Sequence, residues 1–290
     1  MSEPQLNKVQ CLSPVGLHHM AYWEWGERDN PRVLICVHGL SRQGRDFDRL
    51  AQAMSGDYRV ICPDVVGRGR SDWLANPALY QVPTYVADMV TLIARLDVEQ
   101  VHWVGTSMGG LIGMGLAALP KSPISRLVLN DVGPAIEFEA IQRIGSYLGQ
   151  PLRFDSLEQG AEYLRSISQT FGPHSEADWL ALSRPMLQAD GEGRFKLHYD
   201  PAIAVPIRAA TPELTAAGEA LLWQSYERIA CPTLLLRGAD SDLLSPTTAQ
   251  AMMQRGPRAQ LHEFAGVGHA PTLVAPDQID AVRQFLLASP

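Results

Sequence analysis

Short apolar segments alternate with longer amphipathic segments along most of the chain. RVLICVHG at residues 32–39 is continuously apolar, as expected for a strand buried on both faces of a sheet. Similar segments are HHMAYWEW (18–25), YRVICP (58–63), VHWVGT (101–106), ISRLVLND (124–131), PTLLLRG (232–238) and AQLHEFAG (259–266). Residues 44–55 and 84–96 have helical spacing between these strands. The alternation predicts an α/β protein with a mostly parallel sheet flanked by helices.

The pattern changes between Pro134 and Arg228. This region contains helix-like pieces such as FEAIQRIGSYLG, SLEQGAEYLRSIS and TAAGEALLWQSYERI, but no segment typical of a buried strand. An insertion of this size between two sheet strands favours a lid over the carboxyl edge of the sheet, where ligands bind in such folds. We therefore expect a core domain of residues 1–133 and 229–290, and a helical cap of residues 134–228.

Composition and charge narrow the function classes. Hydrophobic residues make up 46% of the chain and charged residues 19%, as in ordinary globular proteins. With 24 basic and 31 acidic side chains the net charge is −7, and no basic stripe tracks a phosphate backbone. Nucleic acid is therefore not an expected partner. Arg68 and Arg70, with Arg59 nearby, are separated by glycines and predict a solvated loop.

Cysteines and apolar segments bear on cofactors and location. Cys11, Cys36, Cys62 and Cys231 lack metal-ligand spacing and are interpreted as small core residues. No metal and no organic cofactor is expected. The segment MSEPQLNKVQ lacks the apolar centre of a signal peptide, and no apolar stretch is long enough for a membrane span, so we expect a cytoplasmic protein without membrane contact.

The segment Gly105-Thr106-Ser107-Met108-Gly109 fits the G-x-S-x-G pattern, in which a serine occupies a sharp turn between a strand and a helix. With 24 glycines in the chain the pattern alone is weak. Its context is stronger, because VHWV before it is strand-like and LIGMGLAAL after it is helix-like. Ser107 is therefore the candidate nucleophile.

A serine hydroxyl needs a base to accept its proton, and His269 is the best candidate. It follows the last predicted strand through Gly266-Val267-Gly268, on a loop at the carboxyl edge of the sheet. The other histidines fall inside predicted strands or away from that edge, except His38. We interpret His38 as organising its own loop through hydrogen bonds.

The acid that orients His269 should follow the penultimate strand, where RGADSDLLSP offers Asp240 and Asp242. Asp242 is favoured, because its spacing to Pro246 puts it just before the next helix. Asp240 is the alternative, and Asp131 at the end of LVLND is a third candidate. The backbone N–H groups of Leu40 and Met108 are the expected oxyanion hole.

The motifs VHGL, DVVGRGRSDW, GTSMGG, LVLNDVGP, LLLRGADSDLLSP and GVGHAPTL occur in one order along nearly the whole chain. In this the chain resembles the α/β-hydrolase superfamily, in the serine-nucleophile branch with a helical cap. The resemblance implies an eight-stranded, mostly parallel sheet and a Ser-His-Asp triad. One departure is RGADSD, which has one residue more before Asp242 than the Gly-x-x-Asp pattern of many relatives.

The resemblance implies a serine hydrolase that cleaves a small carboxylic ester through an acyl-enzyme, with an acyl substrate and water as its partners. Related triads also hydrolyse carbon–carbon bonds of ring-cleavage products, and some triad-bearing relatives act as small-molecule receptors, so both alternatives stay open. A homo-oligomer also stays open. Aromatic side chains of the insertion are candidates for lining an acyl pocket: Phe138, Tyr147, Trp179, Phe195, Tyr199 and Trp223.

Overall fold

The computed structural model describes residues 3–289 and contains one large sheet of eight strands. Its strands are β1 (Gln5–Ser13), β2 (Gly16–Trp25), β3 (Val33–Val37), β4 (Arg59–Pro63), β5 (Val101–Thr106), β6 (Ile124–Asn130), β10 (Thr233–Gly238) and β11 (Gln260–Phe264). They lie in the order β1-β2-β4-β3-β5-β6-β10-β11. β1 and β2 pair antiparallel, β2 pairs antiparallel with β4, and the other neighbours pair parallel. The predicted fold class is confirmed.

Helices cover both faces of this sheet. On one face lie α2 (Val82–Leu96), α3 (Met108–Ala117) and α9 (Pro246–Gln254), and on the other lie α1 (Asp48–Met54) and α10 (Pro276–Leu287). Every residue of β3, β4 and β10 is buried, which explains why these strands are apolar without alternation. Because β3, β5, β6 and β11 run parallel, their carboxyl ends lie at the same edge of the sheet, between the two helical layers.

The segment between β6 and β10 forms an insertion of helices and short strands. It contains α4 (Phe138–Tyr147), β7 (Arg153–Phe154), α5 (Leu157–Ile167), α6 (Glu176–Ser183), β8 (Leu187–Ala189), β9 (Phe195–Leu197), α7 (Ala204–Arg208) and α8 (Pro212–Glu227). β7, β9 and β8 form a three-stranded antiparallel sheet. The helices of the expected cap are present, but its small sheet is not predicted, because strands of two or three residues are too short to leave a period-two pattern.

Two further sequence interpretations can be compared with the structure. Cys11, Cys36 and Cys62 are buried, as expected of small core residues, and Cys231 is partly buried. The solvated loop expected at the basic cluster is wrong for two of its three members, since Arg68 is 0% and Arg59 is 8% exposed, whereas Arg70 is exposed. Within residues 3–289, none of the helices combines the length and apolar character needed to cross a bilayer.

Candidate active site

Ser107 occupies the turn between β5 and α3. Its backbone has φ 51° and ψ −117°, a strained conformation that turns the chain sharply from strand into helix. The turn is possible because glycines flank it: a Cβ at Gly109 would overlap the carbonyl oxygen of Val37, and one at Gly105 would overlap that of Gly109. The Ser107 N–H donates to the Asn130 carbonyl at 2.9 Å, which fixes the turn against β6.

His269 lies beside this serine. Its Nε2 is 3.0 Å from Ser107 Oγ, and its side chain is 12% exposed. The loop that carries it is held from the insertion, because the Gly268 N–H donates to the Thr170 carbonyl at 2.6 Å and Thr170 Oγ1 donates to the His269 carbonyl at 2.8 Å. The expected pairing of Ser107 with His269 is present in the geometry.

The carboxylate that contacts His269 is Asp131, at the end of β6. Asp131 Oδ2 is 2.7 Å from His269 Nδ1 and also accepts from Ser241 Oγ at 2.7 Å, while Oδ1 accepts from the Gly238 N–H at 2.9 Å. The carboxylate is fully buried. Since an ionised carboxylate only accepts, His269 carries its proton on Nδ1, and Nε2 is left to accept from Ser107.

The structure corrects the favoured acid. Asp242 faces away from His269: its two oxygens accept from Arg143 Nε and Nη2 at 2.8 and 3.0 Å, and its side chain is 44% exposed. Asp240, the alternative, is exposed, and its backbone N–H donates to the Val267 carbonyl. In the loop after β10, the residue that contacts Asp131 is Ser241, which lies between the two predicted aspartates.

The loop after β3 approaches the serine from the other side. A Cβ built at Gly39 would lie 3.7 Å from Ser107 Cβ, so the chain at Leu40 passes close to the nucleophile. His38 Nδ1 donates to the Gly39 carbonyl at 2.7 Å, and its Nε2 accepts from the Val65 N–H at 2.9 Å. Burial lowers the pKa of His38 to about 3, which keeps the ring neutral. The loop-organising role expected of His38 agrees with these contacts.

Three residues near the site were not singled out by the sequence. Asn130 Nδ2 donates to Thr106 Oγ1 at 2.9 Å and to the Pro271 carbonyl at 2.8 Å, and so joins the serine turn to the histidine loop. Thr170 holds that loop from the insertion. Ser241 donates to Asp131. Of these three residues, only Asn130 has a signal in the sequence, which is its position next to Asp131 at the end of β6.

Of the candidate aromatic residues, Trp179 and Trp223 pack against other rings of the insertion, whereas Tyr199 is part of the main hydrophobic core and Phe195 packs against it. Trp179 stacks on Phe171 at 6.3 Å between ring centroids, and Trp223 packs edge-on against Tyr226 beneath the Arg255 guanidinium. Near the site, a small cavity of about 40 Å³ is lined by Phe171 and Leu182 of the insertion and by Thr106 and Ala270. A larger depression of about 820 Å³ lies on the surface beside His174 and Ile279. Neither Ser107 nor His269 lines it.

Comparison with known proteins shows the family of this chain. A family model described as "Alpha/beta hydrolase family" matches residues 34–282. The chain belongs to the alpha/beta hydrolase family. This alpha/beta hydrolase is 57% identical over 288 residues to a "3-hydroxybutyrate-oligomer hydrolase" of Cupriavidus necator, and the match covers 98% of both chains.

Solved structures of other proteins are similar to this alpha/beta hydrolase over nearly its whole length. An alpha/beta hydrolase from Novosphingobium aromaticivorans has 36% identity and a TM-score of 0.85, with 99% of each chain covered. A structure from Rickettsia typhi has 30% identity and a TM-score of 0.89, and the match covers 99% of this chain and 100% of that one.

Proposed function

We propose that this alpha/beta hydrolase is a serine esterase that cleaves the ester bonds of short 3-hydroxybutyrate oligomers. The observation that carries the chemistry is the continuous hydrogen-bonded series from Ser107 Oγ through the His269 ring to Asp131. The substrate class is inferred from the relative that is 57% identical across 98% of both chains.

In the first half of the reaction, Ser107 Oγ attacks the ester carbonyl while His269 Nε2 accepts its proton. Asp131 stays ionised and keeps the Nδ1 proton of the imidazolium in place. The negative charge that develops on the carbonyl oxygen is stabilised by the backbone N–H groups of Leu40 and Met108. Collapse of the tetrahedral intermediate releases the part of the oligomer that carries its free carboxylate, and the alkoxide oxygen of this leaving group takes a proton from His269 to become a hydroxyl.

In the second half, His269 Nε2 accepts a proton from water, and the hydroxide attacks the acyl carbon on Ser107. A second tetrahedral intermediate then collapses, the Ser107 oxygen recovers the proton from His269, and a 3-hydroxybutyrate unit leaves as the carboxylic acid. Every proton transfer uses one nitrogen, because the other stays bound to Asp131.

We also propose that residues 134–228 act as a lid on a core of residues 1–133 and 229–290. The contacts of Thr170 with the backbone of Gly268 and His269 support this assignment. So does the pairing of the Arg68 loop with the segment just after β9 of the insertion, where the Gly69 N–H donates to the His198 carbonyl at 3.0 Å.

The test is hydrolysis of the linear dimer and trimer of 3-hydroxybutyrate by the purified protein, with release of the monomer quantified by chromatography. The Ser107→Ala variant should lose about 10⁴-fold or more in kcat, because no other group forms the acyl-enzyme. Its thermal unfolding should match that of the parent protein. Retained turnover in this variant would eliminate Ser107 as the nucleophile.

The same assay separates the substrate classes. p-Nitrophenyl butyrate reports general esterase activity, and a vinylogous diketone reports carbon–carbon hydrolysis. We expect turnover of the oligomers and of the butyrate ester, and none of the diketone. Turnover of the butyrate ester without turnover of the oligomers would keep the esterase and remove the oligomer as its substrate.

A further inference from the structure

Arg68 is a cation enclosed in the protein directly beside the proposed oxyanion hole. It lies on the loop after β4, between Gly67 and Gly69, which both have positive φ angles, of 86° and 53°. The side chain is 0% exposed. Neither the proposed mechanism nor the sequence motifs assign it a role.

The hydrogen-bond partners of Arg68 are all neutral. Nε donates to the Leu40 carbonyl at 2.8 Å, Nη2 donates to Met108 Sδ at 3.5 Å, and Nη1 donates to the Val66 carbonyl at 2.7 Å and to the Tyr85 hydroxyl at 3.0 Å. Its guanidinium also lies over the Tyr85 ring, 5.2 Å from the centroid.

Other buried arginines are neutralised differently. Arg59 donates to Glu24 at 2.7 Å, and Arg237 donates to Glu263 at 2.6 Å. Burying a charge is costly unless a counter-charge and hydrogen bonds compensate for it. Arg68 has no carboxylate as a direct hydrogen-bond partner, and Asp200 accepts from the hydroxyl of Tyr80, whose ring lies 5.6 Å from the guanidinium, so the positive charge of Arg68 acts on its neighbours.

Two of those neighbours are the residues whose N–H groups would bind the oxyanion. Arg68 contacts the carbonyl of Leu40 and the side chain of Met108, so it bridges the loop after β3 and the first residue of α3. Its field also reaches His38: burial is the main cause of the lowered pKa of that ring, and the charges of Arg68 and Arg42 act in the same direction.

We propose that Arg68 is a positioning residue that fixes Leu40 and Met108 and supplies a buried positive charge behind the oxyanion hole. This inference rests on the proposed function, because it requires Ser107 to form a tetrahedral adduct. A buried charge of this kind favours the anionic intermediate over the neutral ester, so it raises kcat and leaves KM nearly unchanged.

A boronic acid inhibitor tests the charge directly. The Ser107 oxygen bonds to the trigonal boron of phenylboronic acid, the serine proton moves to His269, and the boron becomes a tetrahedral anion. The inhibition constant therefore reports stabilisation of the anionic adduct, and KM for p-nitrophenyl butyrate reports binding of a neutral ester. The variants are Arg68→Met and Arg68→Gln, which remove the charge, and Arg68→Lys, which keeps it.

We expect the Met and Gln variants to bind phenylboronic acid about 10- to 100-fold more weakly and to lose a similar factor in kcat, with KM changed by less than about threefold. The Lys variant should retain most of the affinity for phenylboronic acid and most of kcat. If the Met variant does not fold, as judged by thermal unfolding, the comparison of Gln with Lys decides. A folded Gln variant with the parental inhibition constant, or a Lys variant as impaired as Gln, would overturn the proposal.

Two controls make the result specific. Arg59 is also a buried arginine, at the opposite end of β4, and Arg59→Met should lower stability while leaving kcat and the inhibition constant unchanged. Ser107→Ala should abolish boronate binding in every background. If it does not, the proposed nucleophile is wrong. If it does but Arg68→Gln behaves as the parent, only the inference about Arg68 fails.

Discussion

The choice of carboxylate for His269 depends on the direction in which a single side chain points. Asp131 directly follows β6 and has φ 54°, and its carboxylate contacts His269 on the histidine loop. Asp242 follows β10, which neighbours β6 in the large sheet, and pairs with Arg143 instead. We therefore expect substitution by asparagine to have different effects on kcat at the two aspartates.

Asp131→Asn should reduce kcat by about 10⁴-fold, because an amide nitrogen facing Nδ1 stabilises the wrong imidazole tautomer. Asp242→Asn should leave kcat within about twofold, because it removes only a half-exposed ion pair. Steady-state kinetics with p-nitrophenyl butyrate measures both. A large loss at Asp242 together with a small loss at Asp131 would reverse the assignment.

Sequence reasoning could find the serine and the histidine but not their acid. Ser107 and His269 have local signals, since glycines mark the turn at Ser107 and the loop before His269. The acid has no such signal. Whether Asp131, Asp240 or Asp242 reaches His269 depends on how the loop after β10 folds, and there Ser241 takes the inward position. That direction results from tertiary packing.

The lowered pKa of His38 should make the stability of the protein depend on pH. Its pKa is lowered by burial to about 3 in the folded protein and is about 6.5 in an unfolded chain. Between these values the unfolded state binds a proton that the folded state does not, so the contribution of His38 to stability is complete above pH 6.5 and is lost as the pH falls toward 3. Asp64 acts oppositely, because burial raises its pKa to about 6.

A difference between two proteins isolates His38, since Asp64 is present in both. On lowering the pH from 7 to 4.5, the parent should lose about 2 to 3 kcal/mol more of its free energy of unfolding than His38→Gln does. Urea denaturation at the two pH values measures this difference. An equal loss in both proteins would mean that His38 is not held neutral in the fold.

At the scale of elements, the apolar segments of the sequence locate every strand of the large sheet except β1. β3, β4 and β10 are continuous apolar runs and were located within one or two residues. β1 was missed, because QLNKVQCLS has polar side chains on its exposed face and few buried ones. β7, β8 and β9 are formed by antiparallel pairing within the insertion.

The packing of α3 against β3 makes a prediction about Gly109. Its Cβ position is occupied by the Val37 carbonyl, and a backbone atom cannot move aside as a flexible side chain can. Gly109→Ala should therefore lower the free energy of unfolding by about 3 kcal/mol or more. Chemical denaturation measures the loss.

Gly218 provides the matched control for this substitution. It lies within α8, and a Cβ there would meet no atom within 4 Å. Gly218→Ala should stabilise the protein by about 0.5 to 1 kcal/mol, because alanine has the higher helix propensity. Equal effects of the two substitutions would mean that the close approach of α3 to β3 does not limit the residue at 109.

At the scale of the whole molecule, the insertion and the sheet share one hydrophobic core. Leu148, Phe154 and Leu187 of the insertion belong to the same buried cluster as Val33 and Ile35 of β3. Polar contacts are added at the histidine loop, where His174 Nε2 lies 2.8 Å from Thr272 Oγ1. The insertion can therefore influence the reaction through the backbone that carries His269.

Thr170 offers the most direct test of that influence. Its hydroxyl donates to the His269 carbonyl at 2.8 Å, and its own carbonyl accepts from the Gly268 N–H. Thr170→Val keeps the shape of the side chain and the backbone bond but removes the hydroxyl donor. We expect kcat to fall about 3- to 10-fold, the equivalent of one hydrogen bond that no longer orients the base.

Thr170→Ser is the control, because it restores the hydroxyl on a smaller side chain and should recover most of kcat. Steady-state kinetics and thermal unfolding are measured on both variants. The Val substitution affects an exposed contact, so its unfolding temperature should change little while kcat falls. If Val and Ser variants turn over substrate equally, the hydroxyl has no part in orienting His269, and the insertion acts on the site only by covering it.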